Sequence, residues 1–111
     1  MIDKNKRPWG EFLTFALNQK CTVKLLVVKA HQKLSLQKHK KRDELWYFLD
    51  DGFVEFENKN KKVKSGKSIF IKKNQPHRLY AKEKSVRVLE VSFGNFNEKD
   101  EIRIEDDYGR D

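Results

Sequence analysis

The sequence predicts an all-β fold of the sandwich or barrel type, with a jelly roll as the compact way to limit exposed strand edges. About eight short segments are rich in β-branched and aromatic residues with a period near two, and turn formers separate them. No repeat, linker or long helical period interrupts the pattern, which implies one domain over residues 1–111. A domain of this length buries roughly two thirds of its unfolded surface and needs no disulfide staples.

In chain order the predicted strands cover residues 12–17, 23–28, 34–39, 45–49, 53–57, 68–71, 78–80 and 86–93. "LDDGF" reads as a tight hairpin, because Asp51-Gly52 can supply the positive φ that such turns need. "ENKNKKVKSGKS" is a polar excursion, compatible with a second hairpin, that leads to Gly66. Residues 97–104 read as a short C-terminal helical segment before a tail, with Asn97 as its cap and Glu98, Asp100 and Glu101 in the first turn. Near the start, "RPWG" is expected to pack Trp9 against the barrel or a second subunit.

Composition narrows the function classes. One cysteine, Cys21, rules out an internal disulfide, and "MIDKNKRPWG" has no apolar stretch like a signal peptide, so a reducing cytoplasm is the expected setting. No apolar run approaches the roughly 20 residues that span a bilayer, and no membrane partner is expected. The net charge of +8 invites a nucleic-acid reading. Against it, 19 of the 25 basic residues are lysines spread over most of the chain, and lysine lacks the bidentate geometry of arginine. Residues 1–97 carry +12 and residues 98–111 carry −4, a balance that suits self-neutralisation or a small anionic ligand. Nucleic acid is therefore not an expected partner.

One stretch, "LSLQKHKKRDELWYF", carries the chemistry. Strand alternation puts Lys33, Ser35, Gln37 and His39 on one face and Leu34, Leu36 and Lys38 on the other. A wholly polar row between apolar neighbours suits a face that lines a cavity. Glu44 opens the next apolar strand, where a carboxylate is costly unless it is paired or metal-bound. Imidazole, carboxylate and amide oxygen together can hold a divalent ion. His77, after Pro76 and at the start of another strand, is the candidate fourth ligand. His31, in the turn "KAHQK", reads as surface.

The blocks "RPWGEF", "KLSLQKHKKRDELW", "GKSIFIKKNQPHRL" and "EIRIEDDYGR", taken in order, resemble the cupin isomerase domain of type II mannose-6-phosphate isomerases, from Arg7 to Arg110. In many members that domain is fused behind a mannose-1-phosphate guanylyltransferase domain, whereas this sequence contains the cupin portion alone. The resemblance implies a double-stranded β-helix with a divalent metal, zinc in the first instance, on Gln37, His39, Glu44 and His77. It further implies interconversion of mannose 6-phosphate and fructose 6-phosphate through an enediol, feeding GDP-mannose and polysaccharide synthesis, and, by analogy with cupins that pair, a homodimer.

That chemistry needs a base, an oxyanion stabiliser and a phosphate-holding cation. Arg42, between His39 and Glu44, matches an arginine of the family motif and is a candidate for catalysis and phosphate binding. Lys33 and Glu90 are candidates for proton transfer, Glu90 alternating with Leu89 and Val91. Arg110, with Tyr108, is a candidate phosphate contact delivered by the tail. For each of these the alternative is an ordinary solvated side chain. The sequence also departs from the family pattern. Lys40, Lys41 and Leu45 stand where histidines are common, and Lys72 and Asn74 where Pro and Gly are usual. Loss of the histidine at position 45 removes a candidate acid or base, which leaves a non-catalytic module binding a sugar phosphate or sugar nucleotide as the alternative.

Overall fold

The computed structural model describes residues 2–56, 58–94 and 97–105. Within them, β1 (Asp3–Arg7) and β2 (Gly10–Thr14) form a separate antiparallel hairpin. The body follows as β3 (Cys21–Val28), β4 (Leu36–His39), β5 (Glu44–Phe48), β6 (Gly52–Phe56), β7 (Lys59–Val63), β8 (Ser68–Ile71), β9 (His77–Tyr80), β10 (Val86–Phe93) and β11 (Glu101–Glu105). One sheet has the order β3-β10-β5-β8 and the other β11-β4-β9-β6-β7. Apart from the β6–β7 hairpin, the chain changes sheet at every step from β3 to β11. This is the winding of a double-stranded β-helix, and the all-β expectation holds.

β10 shows how the interior is divided. Val86 and Val88 pair across the sheet with Val28 and Leu26 of β3, and Val88 also pairs with Phe48 of β5. Together with Val54, Val63, Leu79 and Ala81 they close one end of the barrel with apolar side chains. Two positions further along the same face, Glu90 pairs with Lys24 and Trp46, and then Ser92 with Thr22 and Glu44. The opposite end is therefore polar. Glu44, Glu90 and Ser92 are nonetheless buried and Thr22 and Lys24 half-buried, so the charges and hydrogen bonds of the buried groups must be satisfied by one another. Outward-facing Val23, Leu25 and Val27 of edge strand β3 remain exposed.

Four local expectations are corrected. Residues 97–104 are not a helix: one turn of 3-10 helix (Glu98–Asp100) leads directly into β11. Asn97 does cap that turn, its Oδ1 accepting the Lys99 amide at 3.0 Å, but pairing with β4 then wins over helix extension. "LDDGF" is not a hairpin either, since β5 and β6 lie in different sheets. Gly52 has no positive φ; it is required for space, because a Cβ there would lie 2.7 Å from Val86 Cγ1 and 2.9 Å from Phe48 Cε2. The first strand expected at 12–17 is Gly10–Thr14, paired with the unanticipated Asp3–Arg7. Trp9, at the tip of that hairpin, is 72% exposed and stacks on Phe12, which corrects the barrel as its partner and leaves its face open to a second subunit. The polar excursion, by contrast, does form a hairpin, with Asn58 at φ +70° in its turn.

Gly52→Ala should cost about 1–3 kcal/mol by overpacking Val86 and Phe48. Urea unfolding of the two proteins checks this, and an unchanged midpoint would mean that the β5–β6 crossing is looser than described.

Candidate metal centre

The polar end gathers side chains from five strands and one loop. β4 turns Gln37 and His39 inward, both buried, and the same face carries Ser35. The loop after it delivers Arg42, β5 delivers Glu44 and Trp46, β9 delivers His77, β10 delivers Glu90 and Ser92, and Glu101 of β11 lies opposite His39 in register. Gln37 and His77 are direct cross-strand partners.

Glu44 is the centre of this group, at 1% exposure. Its Oε2 accepts from Arg42 Nε at 2.9 Å and Ser92 Oγ at 3.3 Å, and its Oε1 accepts from Trp46 Nε1 at 3.2 Å. His39 Nε2 lies 3.4 Å from Oε2, and His77 Nε2 lies 3.7 Å from Oε1. Ligand atoms of His39, Glu44 and His77 all fall within 4.8 Å of one another.

The protonation states follow from the partners. His77 Nδ1 lies 2.8 Å from the Gln75 carbonyl, which can only accept, so Nδ1 carries the proton and Nε2 keeps its lone pair. That Nε2 is buried and has no hydrogen-bond partner among the described residues. It faces a carboxylate oxygen, a second lone-pair donor. Burial lowers the pKa of His77, and burial lowers that of His39 to about 4 against the opposing pull of Glu44. Two neutral imidazoles and a carboxylate converge, with the His77 Nε2 lone pair unshared and those of His39 Nε2 and Glu44 Oε2 taken by Arg42, a donor set that fits a divalent cation which displaces the guanidinium. Gln37 is consistent with a fourth place. Its NH2 group, assigned from its neighbours, donates to Glu101 Oε1 at 2.8 Å and Ser35 Oγ at 3.1 Å, which turns its oxygen the other way.

Beside the cluster, Glu90 Oε2 accepts from the same Trp46 Nε1, also at 3.2 Å. Burial first, then the charge of Glu44, raises the Glu90 pKa to about 7, while Lys24, Arg42 and the Trp46 hydrogen bond oppose the rise. Arg42 is 4% exposed; besides Glu44 it donates from Nη2 to His39 Nε2 at 3.3 Å and from Nη1 to the Asn97 carbonyl at 3.2 Å.

Thus Gln37, His39, Arg42, Glu44, His77 and Glu90 are brought together. Lys33 is not: it bridges Tyr80, whose ring stacks on Phe53 on the outward face, three positions along β9 from His77. Between Lys33 and Gln37 the pairing slips by one residue, and the alternation that put both on one face is broken. Tyr108 and Arg110 lie outside the described residues. A cleft of about 650 Å³ lined by Lys40, Lys41, Asn97, Lys99, Asp100 and Ile102 borders the loop but is lined by none of the cluster's side chains.

Comparison with known proteins bears on the family and the fold. The family described as Mannose-6-phosphate isomerase C-terminal matches residues 1–106. The chain belongs to this family. It is 33% identical over 107 residues to the alginate biosynthesis protein AlgA of Pseudomonas aeruginosa, covering 94% of this chain and 22% of that protein. It is 32% identical over 107 residues to the mannose-1-phosphate guanylyltransferase ManC of Salmonella typhimurium, again covering 94% and 22%. The chain thus spans about a fifth of the length of these relatives. In fold it is similar to the crystal structure of a cupin protein from Bacteroides fragilis, with a TM-score of 0.62 and 15% identity over 78% of this chain and 79% of that one. Among the described residues no helix is long and apolar enough to cross a membrane.

Two departures from the family motif look different in three dimensions. Glu44 and Trp46 face inward, so Leu45 between them lies on the other face of the sheet, itself buried, where it pairs with Val91 and Phe70. A histidine at position 45 would point away from the cluster, and its absence removes no group from it. Asn74, where glycine is usual, takes φ +63°, a left-handed conformation that asparagine tolerates. The sequence reading passes over Trp46, Ser92, Lys24, Asp100 and Glu101. For Lys24 a signal existed: Thr22, Lys24, Leu26 and Val28 alternate with the exposed valines and leucine of β3.

In metal-free protein, Glu90 contributes stability that is complete below about pH 4.5 and is lost as pH rises to about 7. His39 runs oppositely, its contribution present above about pH 6.5 and lost as pH falls to about 4. Glu90→Gln should therefore match wild type near pH 4 and become more stable by neutral pH, on the order of 2 kcal/mol. Urea titrations across this range check it; a pH-independent difference would contradict the raised pKa.

Proposed function

We propose that the chain is a metal-dependent sugar-phosphate isomerase that interconverts mannose 6-phosphate and fructose 6-phosphate. The observation that carries the reading is geometric: Glu90, a buried carboxylate, shares the Trp46 N–H with Glu44, whose ligand atoms lie within 4.8 Å of those of His39 and His77. Moving a carbonyl between C1 and C2 requires a base that takes a proton from one carbon and returns it to the other near neutral pH, and such a group works best when its pKa matches that pH.

Gln37, His39, Glu44 and His77 would hold the ion, for which zinc is the first choice on the strength of two imidazoles. A divalent ion supplies polarisation of the two substrate oxygens and so favours the enediol. Glu90 takes the proton from C2 and delivers it to C1. Trp46, by donating one N–H to both Glu44 and Glu90, keeps the base beside the ligand carboxylate. Arg42 offers a buried cation to the negative charge that develops on the substrate oxygens. Arg110 and Tyr108 are the proposed phosphate contacts, and Lys24, in register with Glu90, is a further inward-facing cation. The non-catalytic reading rests on the departures at Lys40, Lys41 and Leu45, of which Leu45 lies on the sheet face away from the cluster.

A proton NMR time course of mannose 6-phosphate in heavy water tests this. Zinc-loaded protein should form fructose 6-phosphate or exchange deuterium at C2, and excess chelator should abolish both. His77→Ala should lose the ion and the turnover together. Glu90→Gln should keep the ion yet lose kcat by roughly 10²–10⁴-fold. Turnover that survives chelation, or silence from a zinc-loaded sample, would overturn the proposal.

A further inference from the structure

The segment 97–103 touches the candidate metal centre at three points. Asn97 accepts from Arg42 through its carbonyl at 3.2 Å. Asp100 Oδ1 accepts the Lys40 and Lys41 amides at 3.0 and 3.1 Å, and its Oδ2 accepts the Lys41 amide at 2.9 Å. Glu101 takes the Gln37 NH2 at 2.8 Å through Oε1 and at 3.2 Å through Oε2, while its Oε2 pairs with Arg103 Nε at 2.9 Å.

Each contact constrains something a ligand set needs. The loop between His39 and Glu44 carries two ligands of the cluster at its ends; Arg42 anchors its second half in the core, while Lys40 and Lys41 in its first half are exposed. Its amides at 40 and 41 would face water; a single carboxylate gathers both. Gln37 has a different problem, because an amide can present either end to a cation and only the oxygen is a ligand. A carboxylate accepts and cannot donate, so Glu101 selects the NH2 end for itself and sends the oxygen to the opposite side. Groups that orient ligands in this way govern metal affinity although they never touch the ion.

We propose that Glu101 and Asp100 are positioning residues of the metal centre, Glu101 by orienting the Gln37 amide oxygen toward the ion and Asp100 by fixing the loop that joins His39 to Glu44. This rests on reading His39, Glu44 and His77 as that centre, and the test separates the two claims.

Cobalt(II) serves as probe, with affinity from titration and ligand geometry from its visible d–d bands. Glu101→Ala should weaken binding by roughly 10–100-fold and change the bands. Gln37→Ala should do the same, and the double variant should lose no more than the larger single loss, because both remove one ligand. Asp100→Ala should instead add its own loss to that of Gln37→Ala. Arg103→Ala should keep the wild-type bands; a loss as large as that of Glu101→Ala would assign the effect to the ion pair and overturn the proposal. Additive losses for Glu101 and Gln37, wild-type affinity in Glu101→Ala or no loss in Asp100→Ala would overturn it as well. Melting curves of the metal-free variants verify the fold. If Glu101→Ala does not fold, Glu101→Met, similar in length and without an acceptor, takes its place. Failure of wild type itself to take up cobalt would reject the metal centre, not merely its supports.

Discussion

A carboxylate sealed inside a β-barrel is the constraint around which this protein is organised. Glu44 is 1% exposed, and an isolated charge there would cost several kcal/mol. Its surroundings offset that cost with one guanidinium, one hydroxyl and one indole N–H, all within 3.3 Å. The same confinement propagates to Glu90, which shares the indole donor and ionises less readily because it is buried and, secondly, because it lies beside the charge of Glu44. Both histidines are held neutral for the same reason of burial. A group of lone-pair donors kept free of protons at neutral pH is what a cation site requires, so the electrostatics of folding and those of the proposed function have one origin.

The fold makes this affordable by dividing labour along each strand. Four residues of β10 pass from Val86 and Val88, packed in the apolar plug, to Glu90 and Ser92, in the polar end. Trp46 stands at the boundary: its ring is fully buried in the apolar cluster and lies edge-on to His77 at 5.3 Å, while its N–H reaches both carboxylates. Because the chain changes sheet at nearly every strand, ligands close in sequence approach from both walls. His39 comes from one sheet and Glu44 from the other, joined by a loop of four residues. The loop is bound in turn to the next ligand's approach, where the Asn74 amide donates to the His39 carbonyl at 2.6 Å and the Lys73 amide to Asp43 at 2.8 Å.

Much of this was legible in the sequence where a local pattern had only one physical reading. Ser35, Gln37 and His39 alternate with Leu36 and Lys38, and period two alone puts them on one face. Glu90 between Leu89 and Val91 is the same signal. What escaped depends on contacts between distant segments. A capped, acid-led stretch at 97–104 has a helix start, yet pairing with β4 decides its conformation. Asp51-Gly52 has the composition of a hairpin turn, but the topology needs the missing Cβ rather than a positive φ. Lys33 was misassigned by a one-residue slip in pairing, which no composition reveals. Asp100 and Glu101 read as first-turn acids of a helix because their partners lie about sixty residues earlier.

The most direct test is anomalous diffraction at the zinc edge from crystals grown with zinc. Expected is one strong peak bonded to His39, Glu44 and His77, with nitrogen distances of about 2.0–2.1 Å and an oxygen of Gln37 completing the set. Zinc crystals without such a peak, with Arg42 still on Glu44 and a proton donor on His77 Nε2, would show that the cluster is a self-satisfied polar core and would remove the basis of the metal-dependent reading.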